Sequence, residues 1–443
     1  MAAATGDQPE MVDPNKATAA QIPLQSFTIP PFPPEAKHLR ALTLTSDIKT
    51  DEYQDLLSQP FSIPSGSDAT TIAQTAPLIE ALTLELFSLG YPPGFLSVLA
   101  NDVAPNTKTL TIYSQLLGGI SNESQDDAVR FFERLTSLRA LHLLDVFTRP
   151  GFWSRIAPFL RSTKDNPPKV DEQQSADDPP SPRKGLLALS LNYTTQHSDP
   201  TFLSKVHSSE LPLLVSPSLI SLSFNIAEAD TTNDPEDPTN ASLLPVENES
   251  DEDKKKRLEA EAGRDGVMTF NKSNSAVLVK ALMEEGFRPR DLRLLNLTLY
   301  TLGLGDLERV TGMHKGLVVL GVTVEVEDAG KSREVWGRVL KGLESLETVE
   351  VVVSPGLAFY MQINRIPSTA LEDAFPNKEE LDTLSSEGSK LQTFKATVLR
   401  SAHLQKLEWE RKDGEWVGGF VPGTAQKEEE EKKKAHERLP VVS

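Results

Sequence analysis

The chain has 443 residues, of which 38% are hydrophobic, and its 45 Lys and Arg against 64 Asp and Glu give a formal net charge of −19. A field of that sign repels a phosphate backbone and the anionic face of a membrane, so neither nucleic acid nor a membrane surface is expected as partner. The sequence contains no cysteine, which excludes a disulfide framework, a thiol nucleophile and thiolate metal sites, and fits a reducing compartment.

Residues 1–36 read as a disordered, proline-rich lead, small and polar at first. They show no basic n-region followed by an apolar core, and no apolar run in the chain reaches the roughly 18 residues of a membrane span. A cytoplasmic protein is therefore expected, with the nucleus as a second compartment. Ile29-Pro-Pro-Phe-Pro-Pro34 cannot continue a helix or a strand interior. It reads as a cap or linker rather than as a polyproline ligand for an aromatic groove.

From residue 37 a hexad recurs, with large apolar residues at its first, fourth and sixth positions. It opens as Leu39-Arg-Ala-Leu42-Thr-Leu44 and returns as Ile79-Glu-Ala-Leu82-Thr-Leu84. Thr107-Lys-Thr-Leu110-Thr-Ile112 shares only the last two apolar positions, and Leu138-Arg-Ala-Leu141-His-Leu143 matches in full. Between these two, Ala128, Phe131, Phe132 and Leu135 mark one face of a helix. Trp153, Ile156 and Leu160 mark another, which Pro158 is expected to kink or stop.

Residues 162–184 are polar and proline-rich, and read as a disordered insertion. Hexads resume at Leu186 and Leu219, and a second insertion spans 229–266. Its acidic stretch closes on Lys254-Lys-Lys-Arg257, whose neighbours Glu252, Asp253 and Glu259 offset the basic run, so it reads as solvated surface rather than an import signal. Residues 275–286 form an amphipathic helix stopped by Gly286.

The pattern is clearest in hexads beginning at Leu292, Leu317 and Leu346, 25 and 29 residues apart. After Val326, Ser332 is expected to cap a helix whose core face is Val335, Trp336, Val339 and Leu340. Residues 354–388 read as irregular, with a short helix within 371–384. The stretch from Leu391 is strand-like but fits the hexad poorly, whereas Leu404-Gln-Lys-Leu407-Glu-Trp409 fits well. Asp413-Gly414 then predicts a hairpin over about 404–420 that closes the open end of the sheet. A charged tail, 422–443, follows.

Repeats of 20–29 residues that cannot bury their apolar faces alone must stack and share a core. The hexads resemble the L-x-x-L-x-L core of leucine-rich repeats over residues 37–421. The position that carries the family's asparagine holds Asp47, Phe87, Val146, Thr194 and Tyr300 in five of the repeats. The likeness is thus to the degenerate, ribonuclease-inhibitor-like or F-box-type branch. What it implies is an α/β solenoid with a concave parallel sheet and convex helices, interrupted by the two insertions.

No catalytic constellation accompanies the repeats. Ala329-Gly330-Lys331-Ser332 ends like a phosphate loop, but the first glycine of that motif is replaced by Glu325. Gly330 there reads as a turn. The seven histidines are scattered, and no serine elbow or His/carboxylate metal motif appears. No enzyme activity, cofactor or metal is expected.

The positions between the apolar residues should line the concave sheet, and they include the polar pairs Arg40/Thr43, Glu80/Thr83 and Arg139/His142 with Ser190, Ser221 and Ser223. Arg139, His142, Arg293, Asn296, Glu347 and Glu350 are the candidate partner-binding residues, with Gln405 and Glu408 in the last hexad. The function expected is a non-catalytic protein–protein interaction scaffold. The alternative is a substrate receptor or regulatory subunit of a ubiquitin-ligase-type complex docking through its N-terminus, although no F-box-like module is recognisable.

Overall fold

The structure, a computed structural model, describes residues 19–24, 34–46, 52, 55, 76–162, 183–193, 209–226, 250, 252, 272–398 and 405–422. By contact the chain divides into two compact units, residues 1–186 and 187–443. Both are mixed α/β. Ten hexads, from Leu39 to the one beginning at Leu391, each enter a strand at the third residue.

In the first unit, strands β1 (Ala19–Leu24), β2 (Ala41–Ser46), β3 (Ala81–Glu85), β4 (Thr109–Leu117) and β5 (Ala140–Thr148) pair in chain order, all parallel. The hexads align across them. Leu42, Leu82, Leu110 and Leu141 stand in one row and Leu44, Leu84, Ile112 and Leu143 in the next, none more than 1% exposed. Each such side chain contributes about 1.5–3 kcal/mol on burial, and in-register rows make that burial continuous from strand to strand. Helices α1 (Phe95–Asp102), α2 (Asn122–Arg134) and α3 (Phe152–Leu160) follow β3, β4 and β5. Phe132 of α2 meets Phe152 of α3 edge to face at 6.1 Å.

In the second unit β6 (Ala188–Tyr193), β7 (Ser221–Ile226), β8 (Leu294–Leu302), β9 (Val319–Val326), β10 (Thr348–Pro355) and β11 (Thr393–Val398) are parallel and in order. Then β12 (Gln405–Lys412) and β13 (Glu415–Val421) add antiparallel. Leu189, Leu222, Leu295, Leu320, Val349 and Phe394 form a buried row like that of the first unit. Helices α4 (Lys272–Met283), α5 (Leu304–Met313) and α6 (Ala329–Gly342) precede β8, β9 and β10, while α7 (Leu357–Arg365), α8 (Pro367–Ala374) and α9 (Lys378–Ser386) lie between β10 and β11.

A second regularity sits in the turn before each strand. The carbonyl of Arg40 accepts both Glu80 N–H at 2.8 Å and Ala81 N–H at 3.0 Å. The carbonyls of Glu80 and Lys108 repeat this in the first unit, and those of Leu187, Ile220, Arg293, Val318 and Glu347 in the second. The residue at the second hexad position is therefore locked through its backbone to the same position of the next repeat.

Several expectations need correction. Residues 19–24, placed in an unstructured lead, form β1 at the sheet edge, where the missing N–H of Pro23 is tolerated. Residues 354–388 are not irregular but hold α7, α8 and α9, each ended by Pro367, the Phe375-Pro376 step or Gly388. The strand from Thr393 is a full repeat, parallel to β10, with Phe394 and Ala396 in register with Val349 and Val351. The hexad at 404 does not add a parallel repeat, since β12 runs antiparallel. Asp413 (φ 53°) and Gly414 (φ 89°) make the two-residue turn to β13, whose Trp416 indole N–H donates to Ser385 Oγ at 2.9 Å. Helix α6 starts at Ala329, capped by Asp328 accepting Lys331 N–H at 2.8 Å, so Gly330 and Ser332 lie inside it and Ser332 is buried. Pro158 does not stop α3 early, for the helix runs through it to Leu160.

Most of the two expected insertions, residues 163–182 and 227–249 with 253–271, fall outside the described residues, as do 29–33, Leu404 and the tail beyond Pro422. At the margin of the first, Ser162 and Lys184 pair across an antiparallel bridge.

Candidate functional site

Two rows arise from the hexad geometry. The fifth-position row is polar in nine of ten repeats, whereas the second-position row is polar throughout the first unit and carries Leu187, Ile220 and Val318 in the second. The second positions follow from the carbonyl ladder, and the fifth lie between two buried residues and turn away from them.

In the first unit the second-position row is Arg40, Glu80, Lys108 and Arg139. Glu80 Oε1 lies 2.8 Å from Lys108 Nζ and 4.0 Å from Arg40 Nη1. The hydrogen bond from Lys108, reinforced by both cations, holds the Glu80 carboxyl below its usual range. Arg139 Nη1 donates to the Gly185 carbonyl at 2.6 Å, which fixes its reach. The fifth-position row is Thr43, Thr83, Thr111 and His142, in direct register and all half-buried. Burial pushes the His142 imidazole below its ordinary pKa, so at neutral pH it is an uncharged donor and acceptor.

In the second unit the fifth-position row is Ser190, Ser223, Asn296, Gly321, Glu350 and Lys395. Glu347 and Glu350 are exposed, and Lys395 stands directly across from Glu350. Arg293 is exposed, pairs with Asp291 at 2.9 Å and donates from Nη1 to the Gly316 carbonyl at 3.3 Å, so its guanidinium lies between the turns that precede β8 and β9. Asn296 is half-buried, and its Oδ1 accepts Thr298 N–H at 3.2 Å. A Cβ at Gly321 would lie 3.0 Å from Asn296 Cγ. Glycine there leaves space for the Asn296 side chain to fold over the neighbouring strand and brace the irregular step between Leu297 and Thr301. Asn296 is thus committed to the sheet's own structure, unlike the exposed Glu347 and Glu350.

Of the expected site residues, Arg139 and His142 belong to the first unit and Arg293, Asn296, Glu347 and Glu350 to the second. Within the second, Asn296 and Glu350 flank Gly321, and Arg293 and Glu347 flank Val318. Gln405, expected to face outward, is buried at 4% exposure. Lys108 and Thr111 were missed because Thr107 fills the apolar first position of their hexad. Thr107 is nevertheless buried, its hydroxyl donating to Val103 O at 3.0 Å, so the repeat is complete. The signal was Leu110-x-Ile112 itself.

Among the described residues no three His, Asp or Glu side chains come together as a metal-binding group, and no helix is long and apolar enough to cross a membrane. The second unit also carries an open cleft of about 710 Å³ between α6 and α7–α8, lined by Glu327, Arg333, Arg365 and Asp373 among others. Arg333 is held there by Glu380, with Nε to Oε1 at 2.9 Å. No protein-family model matches the chain, and no curated protein matches it significantly.

Proposed function

We propose that the chain is a leucine-rich-repeat-like solenoid and a non-catalytic scaffold, receiving a protein partner on the sheet face that the second and fifth hexad positions supply. One observation carries this reading: the fourth and sixth hexad positions are apolar, buried and in register, and between them the fifth position is polar in nine of the ten repeats, Gly321 being the exception. Side chains anchored on paired strands lose little further freedom on binding, and that ordering cost is a main opponent of affinity. On this reading the sheet is the concave side, the helices are the convex side, and the protein works in the cytoplasm.

Proximity labelling in cells, followed by co-purification with the full-length protein, tests it. Thr111→Arg in the first unit or Glu350→Arg in the second should abolish capture of a specific partner. Glu334→Arg, on the exposed side of α6, should not. Capture that survives both sheet substitutions and is lost with Glu334→Arg would overturn the reading. Co-purification of ligase core subunits would assign the substrate-receptor role instead. Because β1 belongs to the sheet, the N-terminal docking that role requires is tested by deleting residues 1–18 and not 1–36.

A further inference from the structure

We infer that the sheet face of the first unit selects an acidic, extended segment of its partner, an inference that rests on the scaffold function proposed above. Its second-position row holds three cations, Arg40, Lys108 and Arg139, and one carboxylate, Glu80. That carboxylate is already answered by Lys108 at 2.8 Å and Arg40 at 4.0 Å, so the row presents net positive charge. The Arg40 and Lys108 side chains remain 60% and 54% exposed. The adjoining row adds threonine hydroxyls at 43, 83 and 111 and the neutral imidazole of His142, groups that can all donate to a carboxylate. The second unit has no equivalent, since its rows carry exposed Glu347 and Glu350.

Length agrees with charge. Four neighbouring strands at about 4.8 Å place the ends of the row about 14 Å apart, which is roughly four residues of extended chain. The chain's net charge of −19 does not forbid this ligand. Screening over about 8 Å at physiological salt leaves a short segment to feel mainly the strip beneath it. A nucleic acid, longer than the strip, would be opposed by the chain's net negative charge.

The test uses full-length protein and fluorescence anisotropy with a labelled peptide carrying four consecutive glutamates. Its glutamine counterpart and a single-stranded RNA are the competing probes. The glutamate peptide should bind on the order of tenfold more tightly than the glutamine one, with the difference shrinking as salt is added. Lys108→Glu should weaken it by a similar factor. Glu80→Gln should tighten it several-fold, because Lys108 and Arg40 lose their internal partner while the backbone ladder stays intact. A gain of binding cannot come from misfolding. Equal binding of both peptides, no tightening with Glu80→Gln, or preference for RNA would each overturn the inference. If partner capture still responds to Thr111→Arg while the glutamate peptide does not bind, the acidic preference falls and the scaffold function stands.

Discussion

Removing the carboxylate of Asp127 should loosen α1 from a distance of more than thirty residues in sequence. Helix α1 begins after Gly94, which adopts φ 93° and has no side chain with which to cap the first turn. Asp127, on α2 and only 3% exposed, does so instead. Its Oδ2 accepts Gly94 N–H at 3.1 Å and Leu96 N–H at 2.9 Å, and its Oδ1 accepts the Ser97 hydroxyl. An ordinary N-cap contributes about 1 kcal/mol, and a buried donor left unpaired costs about 1–3 kcal/mol. Asp127→Ala strands two backbone donors and a hydroxyl, of which Leu96 N–H is buried, so a loss of about 3 kcal/mol is expected. Asp127→Asn keeps one carbonyl oxygen for the amides, and Ser97 can turn to accept from its NH₂, so about 1 kcal/mol should suffice. Urea unfolding gives the totals, and hydrogen exchange over residues 95–102 localises them. Equal stability of the two variants, or unchanged exchange in α1, would refute the capping account.

Gly321→Ala should cost about 1 kcal/mol in urea unfolding, since the new methyl displaces Asn296 from Thr298 N–H. In an Asn296→Ala background the same change should be neutral or stabilising, because Gly in a strand carries an entropic penalty of about 0.5–1 kcal/mol. Additive costs would disprove the pairing. His314 is buried, and its Nε2–H donates to the Leu282 carbonyl at 2.9 Å. Burial lowers its pKa below the 6.5 of an unfolded histidine, outweighing that hydrogen bond, and the nearby Arg288 cation lowers it further. Between the two values the unfolded chain binds more protons, so this contribution is full above about pH 6.5 and is lost as pH falls below it. The wild type should therefore lose more stability between pH 7 and 5 than His314→Gln, measured by thermal unfolding. A larger loss in the variant would contradict the sign.

The hexads were legible because their fourth and sixth positions are set by strand periodicity and must point to one side. Direction was not. Leu407 and Trp409 alternate equally well whichever way β12 runs, and only the pairing of Ala396 with Leu407 distinguishes them. β1 escaped notice because Ala-Ala-Gln-Ile-Pro-Leu has few strand formers and is supported from one side alone. The helices after β10 were hidden by the prolines that separate them. The rows themselves followed from the hexads, but their chemistry did not. Nothing in the sequence joins Glu80 to Lys108, seats Asn296 over Gly321, or divides Arg293 between Asp291 and the Gly316 carbonyl. Such pairings depend on which repeats become neighbours and how far each side chain reaches.

The most direct test of the scaffold function is covalent footprinting of the full-length protein with and without its captured partner. Carbodiimide labels carboxylates and an acylating reagent labels lysines. Lys108 and Glu80 in the first unit, or Lys395, Glu347 and Glu350 in the second, should lose reactivity on binding while Glu334 on α6 keeps it. Protection of Glu334 with unchanged labelling of the sheet residues would contradict recognition by the sheet face.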